Sequence, residues 1–222
     1  MNSVAHRQIM SRYYALHSRI YDVTRWAFLF GRAAILDDLA LRPGETVVEV
    51  GCGTGHNFRN ILRRIGPHGR IIAVDCSEPM LERCWRRIRS NRWKNVHLTD
   101  QEYGSYTVTA GHAGVVLFSY SLSMIPRWRE ALICAHQELD AGGRIGLVDF
   151  CLPQQPTKSA AAFARWMACN HVQLDHPYLE ELNSRFSSIV SRVAPAFGGL
   201  WSFYRFVGRK KLTVGVEHEE VR

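Results

Sequence analysis

The sequence predicts an α/β fold in which a mostly parallel sheet is covered by helices on both faces. Short β-branched runs such as TVVEV and RIIAVD alternate with segments of helical periodicity, and short links join them. The first run ends in a turn with glycine at alternate positions, Gly51, Gly53 and Gly55. Such a turn presents bare backbone N–H groups at the carboxyl edge of the sheet, where ligands bind in open α/β folds.

The elements follow one another in a regular order. Residues 5–40 carry apolar and aromatic side chains at helical spacing. The predicted strands are TVVEV, RIIAVDC, NVHLTD, GVVLFSYS and RIGLVDF, and the predicted helices are HNFRNILRRIG, SEPMLERCWRRIRS with Ser77 as its N-cap, and PRWREALICAHQELDAGG. Beyond residue 150 the sequence predicts a helix, AAFARWMACNHV, a last strand, LWSFYRFVGRKK, and a polar tail.

Composition narrows the class of protein. The 222 residues are 46% hydrophobic, which suffices for one sizeable core, and no apolar run is long enough to span a bilayer. We expect no secretory signal, and the six scattered cysteines lack C-x-x-C pairs, which favours reduced thiols in a cytoplasm. The net charge of +8 indicates an anionic partner such as a membrane face, a nucleic acid or an acidic substrate.

The glycine turn differs from the common nucleotide motifs. A dinucleotide fingerprint needs a third glycine where this chain has His56, and no Lys-Ser/Thr pair follows as in a Walker loop. Asp75 ends the second predicted strand, where a carboxylate accepts hydrogen bonds from ribose hydroxyls, and Asp100 ends the third. The pattern therefore favours a nucleoside-containing ligand.

The segments EVGCGTG, VDCSEPML and LTDQ, in this order, resemble the cofactor motifs of class I S-adenosylmethionine-dependent methyltransferases. The resemblance implies a Rossmann-like fold with a seven-stranded sheet, an N-terminal helical cap, and S-adenosyl-L-methionine as cofactor with S-adenosyl-L-homocysteine as product. A nucleotide-binding fold without methyl transfer is the alternative. The cofactor-binding residues that the resemblance to the methyltransferases implies are Tyr21, Glu49, Gly51, Cys52, Gly53, Thr54, Gly55, Asp75, Cys76, Met80, Asp100, Gln101 and Ser119.

On this basis the chain divides into four parts. Residues 1–40 form a helical cap or membrane-interface segment, and residues 41–150 form the cofactor-binding core. Residues 151–211 supply substrate-side helices and the final strands, and residues 212–222 are the tail.

The flanking segments suggest the methyl acceptor. YD-x-TRW-x-FLFGR and SY-x-L-x-MIP-x-W resemble the bacterial diacylglycerylhomoserine N-methyltransferases, which make a trimethylated betaine lipid, and the phosphatidylethanolamine N-methyltransferases are near relatives. The sequence Thr99-Asp100-Gln101 departs from the usual Gly-Asp-Ala, which affects only the adenine end of the cofactor site. The Asn/Asp-Pro-Pro-aromatic motif of base-amine methyltransferases is absent after the fourth strand, which counts against base-amine methylation but does not exclude other RNA chemistry. We expect no nucleic-acid partner.

An acyl-chain substrate cannot leave the bilayer cheaply, so the enzyme is expected to be cytoplasmic and peripheral on the inner membrane face. The N-terminal segment supports this expectation because arginines and large apolar side chains alternate in it. A cap helix that merely closes the cofactor pocket is equally compatible with the pattern. A partner enzyme that supplies the homoserine lipid is a further expectation.

Several residues are candidates for the acceptor site. A quaternary ammonium product donates no hydrogen bond, so aromatic faces should hold it, and a lone His is the candidate base. The candidates are Tyr14, Tyr21 and Tyr120 with Trp26 behind them, His17 as a base, Arg25 for the lipid carboxylate, and His171 in HVQLDH. The reaction needs no metal. The alternatives are a soluble amine or quinone-like acceptor, RNA, and a non-catalytic membrane-docking protein.

Overall fold

The computed structural model describes residues 30–211 except residues 154 and 156, so most of the predicted N-terminal helical segment and the tail 212–222 lie outside the described residues. The helices are α1 (Arg32–Asp38), α2 (Phe58–Ile65), α3 (Glu78–Asn91), α4 (Trp128–Glu138), α5 (Lys158–Cys169) and α6 (Tyr178–Arg185). The strands are β1 (Thr46–Val50), β2 (Arg70–Asp75), β3 (Val96–Asp100), β4 (Ala113–Ser119), β5 (Leu139–Cys151), β6 (Phe186–Ala196) and β7 (Trp201–Lys210). Two 3₁₀ turns occupy Leu122–Met124 and Phe197–Gly199.

The seven strands form one sheet in the order β3-β2-β1-β4-β5-β7-β6. Strands β1 to β5 pair in parallel, and β7 runs antiparallel between β5 and β6. This arrangement confirms the predicted Rossmann-like fold with a mostly parallel seven-stranded sheet. The chain order reverses between β1 and β4, and such a switch point opens a crevice at the carboxyl ends of the strands.

Hydrophobic side chains fill both faces of the sheet. One cluster joins Val47 of β1 to Ile35 of α1 and Phe58 of α2. The other joins Val48 to Leu132 of α4 and Leu182 of α6. Because neighbouring strand residues point to opposite faces, the run TVVEV feeds both clusters and reads as continuously apolar except for Glu49. None of the helices among residues 30–211 is long and apolar enough to cross a membrane.

Two element boundaries differ from the sequence prediction. Helix α4 ends at Glu138, so the prediction that it continues to Gly142–Gly143 is wrong. Strand β5 already starts at Leu139, which pairs with Ala113, and the glycine pair lies where the register shifts before Arg144. Gly142 has a φ of 79°, which a helix cannot contain.

Helices and final strands were predicted within residues 151–211, but α6 and β6 were not located in the sequence. Strand β6 is the edge of the sheet, and most of its residues are exposed. Its sequence, FSSIVSRVAPA, therefore lacks the regular apolar pattern of a buried strand.

Arg144 joins the sheet to the segment before β1. Its Nη2 atom donates to both carboxylate oxygens of Glu45 at 2.8 and 3.0 Å, and its Nε donates to the Leu39 carbonyl at 3.0 Å. Arg144 is buried, so removing it would leave the Glu45 carboxylate and a backbone carbonyl without these donors.

We predict that Arg144→Ala lowers the free energy of unfolding by about 3 kcal/mol, because one partner of a buried ion pair is lost. Urea denaturation followed by circular dichroism measures the change. The control is Arg86→Ala, which breaks the exposed Arg86–Glu82 pair and should change stability little. Equal losses of stability from the two substitutions would contradict the claim that the buried Arg144–Glu45 ion pair stabilises the fold.

Candidate functional site

The glycine turn after β1 is fixed by hydrogen bonds to both neighbouring strands. The N–H groups of Gly51 and Cys52 donate to the Val74 carbonyl of β2 at 2.8 and 3.1 Å. The Ser121 hydroxyl, just beyond β4, donates to the Val50 carbonyl at 2.7 Å. The turn therefore lies at the switch point between β1 and β4.

Only glycine fits at position 51. Its φ is 65°, and a Cβ built there would lie 2.4 Å from the Ser121 Cβ. Gly55 is similarly confined, because a Cβ would lie 2.6 Å from the Phe58 ring and 3.0 Å from the Cys84 sulfur. The turn thus keeps its backbone free of side chains on account of its neighbours and its own conformation. The expectation of bare N–H groups is wrong for most of the turn, because these groups donate to β2 or within the turn itself.

Asp75 connects the turn to the next helix. One carboxylate oxygen accepts from the Gly53 N–H at 2.8 Å, and the other accepts from the Ser77 N–H at 2.9 Å at the start of α3. Asp75 and Asp100 are register partners at the ends of β2 and β3, so the two acids stand side by side. The Gln101 N–H donates to the Asp75 carbonyl at 3.1 Å. The ribose and adenine roles of the two acids stay predictions.

A second hydrogen-bonded chain joins α1 to the turn. The Asn57 amide donates to Glu49 at 2.6 Å, and the Arg32 guanidinium donates to the Asn57 oxygen at 2.8 and 3.1 Å. Glu49 and Asn57 are buried. Glu49 was a predicted cofactor-binding residue, whereas this role of Arg32 and Asn57 was not predicted, because it depends on a contact between residues 25 positions apart in sequence.

Tyr120 follows β4 directly and lies one residue before the serine that touches the turn. Its hydroxyl donates to the Phe30 carbonyl at 2.6 Å, and its ring centroid lies 4.5 Å from that of Phe150. Burial raises the pKa of the Tyr120 phenol well above its ordinary value, which keeps it protonated as a donor. Its φ of 57° is unusual for a tyrosine. The catalytic role stays a prediction.

A fully buried carboxylate holds the loop after β4, and the sequence analysis missed it. Asp149 accepts from the Ser123 N–H at 3.0 Å, the Ser123 hydroxyl at 2.7 Å and the Phe150 N–H at 2.9 Å. Burial raises the pKa of the Asp149 carboxyl to about 6, although these hydrogen bonds oppose the increase. In the sequence Asp149 is one acid inside an apolar strand, and nothing marks its partner Ser123.

The segment HVQLDH reaches the same loop. The Gln173 N–H donates to the Ser123 carbonyl at 2.8 Å, and the His176 ring stacks on Trp128 at 5.4 Å. His171 itself is exposed and has a φ of 62°. The predicted role of His171 in substrate binding is not tested by this placement.

The other predicted site residues are distributed as follows. Met80 and Cys52 are buried, Thr54 is buried in the turn, and Cys76 is half-buried at the end of β2. The pKa of the Cys52 thiol is raised, chiefly by its hydrogen bond with Cys84 and by burial. The candidates Tyr14, His17, Tyr21, Arg25 and Trp26 lie outside the described residues.

The arrangement fits a polar ligand that carries hydroxyl, amino and carboxylate groups. The hydroxyls of Ser77 and Ser119, next to β2 and at the end of β4, are buried without a hydrogen-bond partner within the part of the chain that the structure describes. The side-chain-free turn lies at the same edge of the sheet, and Asp75 and Asp100 stand there at the ends of β2 and β3. Within the same residues, no group of three or more His, Cys, Asp or Glu side chains could hold a metal ion.

The family match covers this site. Residues 47–143 match the family model described as "Methyltransferase domain". The range contains the glycine turn, both acids and the loop after β4. In sequence, residues 47–143 thus resemble a methyltransferase domain, and the sheet has the topology of the class I methyltransferase fold.

Sequence matches to individual methyltransferases cover more residues of the chain than the family model does. The chain is 27% identical over 110 residues to an arsenite methyltransferase of Halobacterium salinarum, covering 50% of this chain and 28% of that protein. It is 23% identical over 167 residues to a demethylmenaquinone methyltransferase of Lactobacillus johnsonii, covering 71% of this chain and 68% of that protein. The chain thus spans about a quarter of one of these methyltransferases and two thirds of the other.

A solved structure shares the fold. The 1,6-didemethyltoxoflavin-N1-methyltransferase of Burkholderia thailandensis, with S-adenosylhomocysteine bound, superposes with a TM-score of 0.69 at 19% identity, over 92% of this chain and 88% of that one. The class I methyltransferase fold is thereby confirmed, and the match to a methyltransferase domain agrees with the expected cofactor, S-adenosyl-L-methionine.

We predict that Gly51→Ala weakens cofactor binding at least about tenfold, because a left-handed residue and a clash with Ser121 distort the turn. Calorimetric titration with S-adenosylhomocysteine measures the loss. The control is Gly44→Ala, which has a φ of 86° but meets nothing within 4 Å. The double variant Gly51→Ala/Ser121→Gly should recover part of the affinity. Equal binding by the Gly51 and Gly44 variants would contradict the prediction.

We predict a pH-dependent contribution of Asp149 to stability. Its pKa is about 6 in the folded protein and 3.8 in the unfolded chain, so folding binds a proton between these values. The stabilisation is complete below about pH 4 and is lost as the pH rises through 6. The stability of Asp149→Asn relative to wild type should therefore rise from about pH 4 to about pH 8, as measured by urea unfolding. A difference in stability between the two proteins that stays constant from pH 4 to pH 8 would refute the prediction.

Proposed function

We propose that this protein transfers methyl groups from S-adenosyl-L-methionine to the amino group of a membrane-lipid headgroup. The acceptor in this proposal is diacylglycerylhomoserine, and the product is the trimethylated betaine lipid. The observation that carries the proposal is the hydrogen bond from the Tyr120 hydroxyl to the Phe30 carbonyl. Phe30 belongs to YD-x-TRW-x-FLFGR and Tyr120 to SY-x-L-x-MIP-x-W, the two segments that resemble the lipid enzymes most specifically.

Further contacts bring these segments to the cofactor turn. Arg32, the last residue of the first segment, bonds Asn57 at the start of α2. Ser121, in the second, bonds the Val50 carbonyl. The described end of the first segment, residues 30–32, and the second segment therefore adjoin the turn that would hold the sulfonium. This is where an acceptor must lie, because in-line transfer requires about 3–3.5 Å between nitrogen and methyl carbon.

The proposed chemistry makes modest demands on the protein. The bound cofactor supplies an electrophilic methyl group on a sulfonium. The nitrogen lone pair forms the new N–C bond, the electrons of the S–C bond stay on sulfur, and the ammonium proton goes to water. The chain has to orient the headgroup, exclude bulk water and accommodate a growing cation, for which aromatic faces such as that of Tyr120 are suited.

Phosphatidylethanolamine is an alternative acceptor, because it too presents a primary amine at the bilayer surface. A soluble amine remains an alternative as well. A further candidate is carbon methylation of a quinone-like acceptor. The names of the demethylmenaquinone and ubiquinone/menaquinone methyltransferases among the similar proteins favour it.

The decisive assay incubates the purified protein with methyl-labelled S-adenosylmethionine and vesicles that each contain one acceptor. The acceptors are diacylglycerylhomoserine, phosphatidylethanolamine and demethylmenaquinone, with a soluble amine in a further reaction. We expect labelled homoserine lipid, with mass increases that correspond to successive methyl groups. Label in the quinone or the soluble amine alone would contradict the proposal.

Asp75→Asn serves as the cofactor-site variant in this assay. It removes an acceptor of the Gly53 or Ser77 N–H, so labelling at limiting cofactor should fall at least about tenfold. Asp140→Asn is the matched control, because Asp140 is exposed near the amino end of β5, on the opposite edge of the sheet. Equal labelling by the two variants would show that the methyl transfer does not depend on Asp75.

A further inference from the structure

A row of aromatic side chains, here called the aromatic rim, lies on the surface and includes Phe30 at the described end of the first segment. Its rings touch in sequence: Phe30 and Phe197 at 5.5 Å, Phe197 and Trp201 at 4.5 Å, Trp201 and Phe163 at 5.0 Å, and Phe163 and Trp166 at 5.7 Å between centroids. The rim joins residues from the start of α1, α5, the turn after β6 and β7.

The outer rings of the rim keep a large exposed fraction. Phe30, Trp166 and Phe197 are 40%, 57% and 53% exposed. Adjacent large exposed rings leave an apolar patch in water, and such patches mark surfaces that bind a partner or a membrane. Isolated exposed rings elsewhere, such as Tyr106, form no such row.

Two of the segments that carry the rim contain basic residues and no acidic residue. Helix α5 contains the exposed residues Lys158 and Arg165 and no acidic residue. The run from Phe186 to Gly199 contains the exposed Arg192 and likewise no acidic residue. Aromatic rings bordered by cations complement a bilayer that carries anionic headgroups, because the rings enter the interface and the cations meet the phosphates.

We propose that the aromatic rim docks this protein on an anionic lipid bilayer. The inference rests on the proposed function, because that function requires the acceptor to be reached from the membrane. It is also continuous with the proposed acceptor site, since the backbone of Phe30 accepts the Tyr120 hydroxyl. Docking by the rim would therefore bring the bilayer surface next to the loop after β4.

A bilayer suits the rim better than RNA does. A nucleic-acid surface needs its densest positive charge around its aromatic rings. The arginines are densest on α3 instead, where the Arg89 guanidinium lies 4.6 Å from the Trp85 ring. Helix α3 packs on β2 and β3, at the opposite end of the sheet from β7 and β6. On the rim, rings outnumber cations.

The test compares two surface variants in vesicle sedimentation. Trp166→Ser/Phe197→Ser removes two exposed rings, and Trp85→Ser removes a similarly exposed ring from α3. With vesicles containing about 30% phosphatidylglycerol, the rim variant should bind about tenfold more weakly or worse, while Trp85→Ser binds like wild type. Unchanged melting temperatures establish that both variants fold. Unchanged vesicle binding of the rim variant, loss of binding by Trp85→Ser, or displacement of wild type from vesicles by RNA would overturn the proposal.

Methylation rates distinguish an error in the docking proposal from an error in the proposed lipid acceptor. The rim variant should lose methylation of a vesicle-bound lipid but retain methylation of a short-chain, water-soluble analogue of the same headgroup. Vesicle binding that depends on the rim, with no lipid methylated by any variant, would support the docking surface and refute the lipid acceptor. Lipid methylation on vesicles at an unchanged rate in the rim variant would refute the docking surface alone.

Discussion

The close contact between Gly51 and Ser121 is the constraint on which the site depends. The serine side chain occupies the space that a Cβ at position 51 would need, and its hydroxyl bonds the last carbonyl of β1. Position 51 of the turn must therefore be glycine, and the loop after β4 lies against the turn. The turn that is predicted to bind the cofactor and the loop after β4 thus form one unit, so the methyl donor and the acceptor of the proposed reaction would both contact it.

Two carboxylates stabilise this unit from opposite sides. Asp75 is half-buried and binds the N–H groups of the turn and of the start of α3, whereas Asp149 is fully buried and binds the loop through Ser123. Ionising Asp149 is energetically unfavourable, because burial disfavours its charge and raises its pKa to about 6. The loop that carries Tyr120 is therefore held by a group that titrates near neutrality.

Much of the fold could be predicted from local signals. Buried parallel strands are β-branched runs, and the turn Gly51–Gly55 is visible because its geometry requires glycine. Strand β6 escaped prediction because an exposed edge strand has no apolar period, and α4 was extended too far because Gly142 lies in a strand irregularity. Asp149, Arg32 and Asn57 escaped because their roles arise from contacts distant in sequence. The acceptor residues of the N-terminal segment and the membrane partner stay predictions.

The central claim is that the side-chain-free turn holds a sulfonium nucleoside. Calorimetric titration of the wild-type protein with S-adenosylmethionine, S-adenosylhomocysteine, NAD and ATP tests it most directly. We expect saturable one-to-one binding of the first two ligands and no measurable heat from NAD or ATP. Binding of NAD or ATP in preference to S-adenosylhomocysteine, or no binding of any of the four, would contradict the account.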